Sequence, residues 1–283
     1  MRTLCTAATL LALSGPFDAA RTRSPRPQFE RVLLLETTAE TSANASIGDV
    51  NGDGKPDIVL AKGRHWPLVD RVLPRDGTGG FAPAYDLGAA SDRSYAARLV
   101  DLDGDGDLDV VLSNDRPDPK LVYLNDGTGH FTVGSTFGKA EWPTPNASVA
   151  DVNGDGLADL VAIDEANGRS LYAGTRDGGF AAGVSLGWAK SAPYALADGD
   201  LNADGVTDVV VGYVQAPSVA YILTGATFAP VYFGDGKGTV YGFAIGDVDM
   251  DGQVDIAAGR LEAPNVLYFG KRGSGKPAEK GGR

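Results

Sequence analysis

Asp101-Leu-Asp-Gly-Asp-Gly-Asp-Leu-Asp109, followed by Val110-Val-Leu112, decides how the chain is read, because the same pattern recurs four more times. The other copies are Asp49-Val-Asn-Gly-Asp-Gly-Lys-Pro-Asp57, Asp151-Val-Asn-Gly-Asp-Gly-Leu-Ala-Asp159, Asp200-Leu-Asn-Ala-Asp-Gly-Val-Thr-Asp208 and Asp247-Val-Asp-Met-Asp-Gly-Gln-Val-Asp255. Their first aspartates fall 52, 50, 49 and 47 residues apart. A near-constant period of this size predicts repeated structural units that bury their apolar surface by stacking on one another.

The nonapeptide presents oxygen ligands at fixed offsets. Position 1 is Asp49, Asp101, Asp151, Asp200 and Asp247, and position 3 is Asn51, Asp103, Asn153, Asn202 and Asp249. Position 5 is Asp53, Asp105, Asp155, Asp204 and Asp251, and position 9 is Asp57, Asp109, Asp159, Asp208 and Asp255. Position 7 varies in side chain (Lys55, Asp107, Leu157, Val206, Gln253), as expected where the ligand is a backbone carbonyl. Hard oxygen donors without Cys or His predict Ca2+, about five ions in all, rather than zinc, copper or the stricter octahedral magnesium. An EF-hand closes its loop with Glu at position 12 and continues into a helix. Position 12 here is Leu60, Leu112, Ala162, Val211 and Ala258, inside short β-branched and small-residue runs that read as buried strands.

Aligning the copies gives four strands per unit. An apolar segment precedes each acidic loop (Ala45–Ile47, Ala97–Val100, Ser148–Ala150, Ala195–Ala197, Phe243–Ile245) and a buried strand follows it. A third strand comes next (Arg71–Leu73, Leu121–Leu124, Ser170–Tyr172, Val219–Leu223, Val266–Phe269). Turns such as Asp76–Gly80 and Asn125–Gly129 then lead through Phe81, Phe131, Phe180 or Phe228 into a fourth strand. Four short antiparallel strands per repeat predict an all-β β-propeller of five four-stranded blades. The last unit lacks a fourth strand, and Gln28–Leu35, led by Phe29, has the pattern to supply it, so the N-terminal strand is expected to complete the last blade and close the ring.

These nonapeptides and Asp-Gly-x-Gly-x-Phe turns resemble the FG-GAP / VCBS repeat family, which includes the integrin α-subunit propeller. The resemblance runs from about Phe29 to Gly270, while the FG and GAP signatures themselves survive only as echoes at Phe81-Ala-Pro83 and Phe228-Ala-Pro230. It implies a calcium ion in the loop joining the first two strands of each blade. Integrin-type propellers have seven blades, against five units here.

Residues 1–20 have the shape of a signal peptide, 21–28 of a basic Pro-rich linker, 29–270 of the propeller and 271–283 of a polar tail. Secretion, to an extracellular or periplasmic location, is the expectation. Cys5 lies in the signal, so the domain is stabilised by metal rather than disulfides. The formal net charge is −12, but 18 of the 37 acidic residues sit in the five loops, and five Ca2+ would bring it to about −2. No basic stripe argues for nucleic acid, no segment is long enough to span a membrane, and a monomer is expected.

Strand alternation places the loops that differ between blades at the end opposite the acidic loops. They carry Arg64, His65, Trp66, Tyr95, Arg116, Trp142, Glu165, Trp188, Tyr194 and Tyr241, the candidate ligand residues. Aromatic planes beside charged groups suit a sugar, and the same aromatics could equally plug the central channel. The function expected is a secreted calcium-stabilised binding or adhesion module for a glycan or protein. The alternative is a propeller enzyme, a lyase or hydrolase acting on polysaccharide. His65 and His130 are the sole histidines, and no nucleophile motif or phosphate-binding loop occurs.

Overall fold

The computed structural model describes residues 33–271, apart from 90, 165–167, 186–190 and 225–226. Over these residues the chain is an all-β propeller of five antiparallel sheets. Blade 1 is β1 (Ser42–Gly48), β2 (Asp57–Lys62), β3 (Arg71–Leu73) and β4 (Tyr85–Asp86). Blade 2 is β5 (Ser94–Val100), β6 (Asp109–Asn114), β7 (Lys120–Asn125) and β8 (Phe131–Phe137). Blade 3 is β9 (Asn146–Ala150), β10 (Asp159–Asp164), β11 (Gly168–Tyr172) and β12 (Val184–Ser185). Blade 4 is β13 (Pro193–Gly199), β14 (Asp208–Tyr213), β15 (Ser218–Thr224) and β16 (Thr227–Phe233). Blade 5 is β17 (Thr239–Gly246), β18 (Asp255–Leu261) and β19 (Val266–Tyr268).

The second strands of blades 2, 3 and 4 have apolar centres (Val110–Leu112, Leu160–Ile163, Val209–Val211), as expected of strands with a neighbouring blade on both faces. β6 and β14 are buried along their whole length. Within them the two-residue period sorts side chains between interfaces. Val110 and Leu112 face blade 1 with Val59, Ala61 and Val72, whereas Val111 faces blade 3 with Val122, Leu160 and Ala162. Val161 in turn packs with Val209, Val211 and Tyr221 of blade 4. Each such large apolar side chain, fully buried, contributes about 1.5–3 kcal/mol. The blade 4–blade 5 interface is thinner, built on Ala195, Val240 and Ala258.

The inner strands pack in chain order, β1 on β5, β5 on β9, β9 on β13 and β13 on β17. Repeat-spaced hydrogen bonds lace them. Ser46 Oγ donates to the Ala97 carbonyl at 2.6 Å, Arg98 Nε donates to the Ala147 carbonyl at 2.9 Å, and Ser148 donates to Asp198.

No comparable packing joins β17 to β1 among the described residues. The fifth sheet has three described strands. Of the segment expected to complete it, residues 28–32 lie outside the described residues and Leu33–Leu35 lie outside any strand. The signal, the linker and all but Lys271 of the tail also lie outside them. Ile47 in the first blade and Met250 and Phe269 in the last remain exposed (71%, 86% and 56%).

Candidate metal loops and axial ligand site

All five acidic loops fold alike. The amide of the position-6 glycine donates to Oδ2 of the first aspartate: Gly54 to Asp49 at 2.7 Å, Gly106 to Asp101 at 3.1 Å, and Gly156, Gly205 and Gly252 to Asp151, Asp200 and Asp247 at 2.9 Å. Position 4 is left-handed as well as position 6, even where it is not glycine: Ala203 has φ 60° and Met250 φ 61°. A left-handed non-glycine residue costs roughly 1–2 kcal/mol, so the rest of the loop dictates that turn.

The ninth aspartate is a buried hub. One oxygen accepts the amide of position 2 (Val50, Leu102, Val152, Leu201, Val248) and the other accepts an amide from the end of the third strand (Arg75, Asn125, Gly174, Leu223, Gly270). Each oxygen keeps a second lone pair for a metal. Burial, together with the Asp103 and Asp105 carboxylates, pushes Asp109 up to about 6 against two opposing amide hydrogen bonds. Asp159 and Asp208 are raised for the same first cause. Asp255, in the thinly covered last blade, is lowered instead by the Gly270 and Val248 amides.

The residues present fit a calcium ion in the chemistry and convergence of their oxygens. Carboxylate oxygens of Asp101, Asp103 and Asp109 lie within 4.8 Å of one another, as do those of Asp247, Asp249 and Asp255. Among the described residues no Lys or Arg is ion-paired with these six. Converging hard anions with free lone pairs suit a divalent cation. Loop 1 differs: the Lys55 ammonium sits 2.7 Å from Asp53 Oδ2, an internal competitor for that ligand.

At the other end, strand ladders are interrupted at one repeated position. The register skips one residue near the start of four inner strands, at Ala43, Tyr95, Tyr194 and Tyr241. Such bulges re-aim a side chain, and three of the four extruded residues are tyrosines. The Tyr194 and Tyr241 rings lie 4.6 Å apart at 45°. Burial raises the Tyr194 phenol, the hydrogen-bonded Tyr241 raises it further, and the Arg64 guanidinium, also hydrogen-bonded to it, opposes both. Arg64 therefore reaches from blade 1 to Tyr194 of blade 4.

His65, next in sequence, turns to blade 2. Its Nδ1 is 3.0 Å from Asp115 Oδ2 and 3.4 Å from the Tyr95 hydroxyl, and the His65 and Tyr95 rings meet edge-on at 5.5 Å. The loop is held by backbone: the Arg64 amide donates to the Ser94 carbonyl at 3.1 Å and the Trp66 amide to the Gly63 carbonyl at 2.9 Å.

Arg64, His65, Tyr95, Tyr194 and Tyr241 are thus brought together. Trp66 is exposed beside them (67%), and Arg116 is exposed on the blade 2 loop. Trp142 is elsewhere, in a cleft of about 540 Å³ between blades 2 and 3 with Phe137, Tyr172 and Phe180, the Lys139 ammonium 5.0 Å over its ring. Glu165 and Trp188 lie outside the described residues. His130 sits in an exposed turn 3.5 Å from Asp126. Sequence reasoning missed Asp115 as a site residue. The available signal was its distance from His65, 50 residues, which puts both in the same loop of consecutive repeats.

A family model described as the FG-GAP-like repeat matches residues 49–112, 101–162, 151–211 and 200–258, each match running from one acidic loop into the second strand of the next blade. None of the curated proteins compared with the chain matches it. Among solved structures, the Dos1 propeller aligns with TM-score 0.52 at 10% identity, over 77% of this chain and 52% of its own. BBS1N, from a complex with ARL6DN, aligns at 0.49 and 13% identity over 81% and 65%. The V. cholerae biofilm matrix protein Bap1 aligns at 0.48 and 19% over 77% and 35%. The chain spans less than two thirds of each of these, and the Dos1 likeness is one of fold alone. Among the described residues no helix is long and apolar enough to cross a membrane.

Proposed function

Because the chain belongs to the FG-GAP-like repeat family and repeats the acidic loop in all five blades, we propose that it is an exported binding module, stabilised by calcium, that recognises a glycan or protein ligand at its axial end. Positions 1, 3, 5 and 9 and the position-7 carbonyl would hold Ca2+, which when bound neutralises the converging carboxylates. The chain's own residues do the rest: the ninth aspartate ties each loop to its third strand, and the loops hold the inner strands in place. Equivalent loops, one per blade, suit structure better than recognition.

Recognition is assigned to the residues that do not repeat. The observation that carries it is the convergence of Arg64, His65, Tyr95, Tyr194 and Tyr241 from four blades, three of them extruded by bulges. The tyrosine rings, Tyr241 exposed and Tyr95 and Tyr194 half-buried, supply a low-entropy amphipathic platform. The test is a glycan array with calcium present, alongside capture of candidate extracellular proteins. Binding lost in Tyr194→Ala/Tyr241→Ala at unchanged melting temperature supports the reading, and binding unaffected by that pair overturns it.

The second reading, an enzyme acting on polysaccharide, draws on the His65–Asp115 pair. A carboxylate on Nδ1 fixes the tautomer and leaves Nε2 free to take a proton. Product formation abolished by His65→Ala would establish it in place of binding alone.

A further inference from the structure

The axial end also carries chemistry that narrows the ligand. We propose that it takes an anionic sugar residue, one bearing a carboxylate or a sulfate, with Arg64 as the charge partner and the Tyr194–Tyr241 pair as the platform for the ring. This rests on the reading of the axial end as the ligand site.

The first support is the state of Arg64. Three arginines are ion-paired, Arg71 with Asp86, Arg93 with Asp118 at 2.9 Å and Arg260 with Asp235 at 2.6 Å, while Arg75 lies over the Phe81 ring and Arg98 donates to the Ala147 carbonyl. Arg64 makes no ion pair among the described residues, in a chain of net charge −12. It is nevertheless positioned, by a left-handed backbone (φ 55°), by the hydrogen bond its amide donates to the Ser94 carbonyl, and by its hydrogen bond to Tyr194. The neighbouring acid, Asp115, is engaged by His65. A held guanidinium without a counter-ion presents its remaining donors in a fork that matches a planar or tetrahedral oxyanion.

The second support is what surrounds it. Tyr241 is half exposed, and its ring is tilted against Tyr194 rather than stacked flush, which leaves a face open. An aromatic face packs on the C–H face of a pyranose while phenol hydroxyls meet its hydroxyls. The bulge occurs in four blades, and in three of them the residue it re-aims is a tyrosine.

The test is titration calorimetry at fixed calcium with three tetrasaccharides: galacturonic acid, sulfated galactose and neutral galactose. Arg64→Gln is run beside the native chain, and Tm is recorded for both. The expected result is binding of an acidic probe at least about ten-fold tighter than the neutral one, with that margin lost in Arg64→Gln at unchanged Tm. Which acidic probe wins separates carboxylate from sulfate. Equal binding of all three, or an unaffected Arg64→Gln, overturns the anionic assignment and leaves a glycan-binding module standing. Binding of none overturns the assignment together with the glycan half of the reading beneath it.

Discussion

Asn125 of the second blade donates its side-chain amide to the carbonyl of Val50, in the acidic loop of the first blade, at 2.8 Å, across 75 residues of sequence. The same amide reaches the Leu108 carbonyl in its own blade at 3.0 Å, and its oxygen accepts the Gly129 amide. One buried side chain thus pins two acidic loops and a hairpin turn. Asn125→Ala leaves two carbonyls and an amide without partners, which costs about 2–4 kcal/mol. Thermal unfolding in calcium should show a loss of roughly 5–15 °C. A shift within error would mean that water replaces the bridge.

Calcium removal should lower the melting temperature, since an ion that binds only the folded chain stabilises it by mass action, by about 2.7 kcal/mol per site at a hundred times Kd. Loop 2, with five aspartates, is expected to bind tightest. Loop 1 should bind weakest, because Lys55 occupies Asp53, and Lys55→Ala should raise its affinity. Calorimetry with Ca2+ on the metal-stripped protein reads both, and EDTA without effect on Tm would refute structural calcium.

A pH dependence follows from Asp70. Burial pushes its carboxyl from 3.8 to about 7, assisted by Asp92 and opposed by the Lys62 amide, the Ser94 hydroxyl and the Lys62 ammonium. Because the folded value lies above the unfolded one, protonation favours the fold. The contribution is complete below about pH 4 and is lost as pH rises to about 7, at up to roughly 1.4 kcal/mol per pH unit. Asp92, raised by burial and by Asp118 against Asn114 and Arg93, acts in the same direction. Asp70→Asn can still accept from Lys62 and can donate to Ser94, so it should flatten the slope and be the more stable protein at pH 8. Parallel denaturant titrations at pH 5 and pH 8 decide this, and an unchanged slope in the variant excludes Asp70 as the source.

Gly63 carries the loop that presents Arg64 and His65. Its φ is +94°, and an added Cβ would lie 2.0 Å from the Trp66 carbonyl oxygen and 3.0 Å from that of Asp92. Both neighbours are backbone and cannot rotate away. Gly63→Ala is expected to cost more than about 2 kcal/mol and to abolish axial ligand binding even at temperatures where the chain stays folded. Native-like binding by a folded Gly63→Ala protein would show that the loop geometry is dispensable.

The repeat, the strands and the hub aspartates were legible because every unit obeys the same local rule. Asp-Gly turns and apolar runs specify their conformation within a few residues, and five copies average out the noise. The bulges were not legible, since Tyr95, Tyr194 and Tyr241 read as ordinary strand starts until it is known that their flanking residues pair with adjacent positions, Asn114 and Ser113, Tyr213 and Gly212, and Arg260 and Gly259. The left-handed turn at Ala203 and Met250 was hidden for a similar reason: tertiary constraint overrides the preference of those residues.

What the sequence by itself determined was the unit: a metal-type loop, four strands, and an interface on each face of the middle strand, all encoded by contacts short in sequence. Which non-repeating residues meet was decided only in three dimensions. Arg64 and Tyr194 are 130 positions apart and His65 and Asp115 are 50 apart. Stacking blades around an axis brings such loops together regardless of their separation along the chain, so the ligand end is a property of the arrangement rather than of any one repeat.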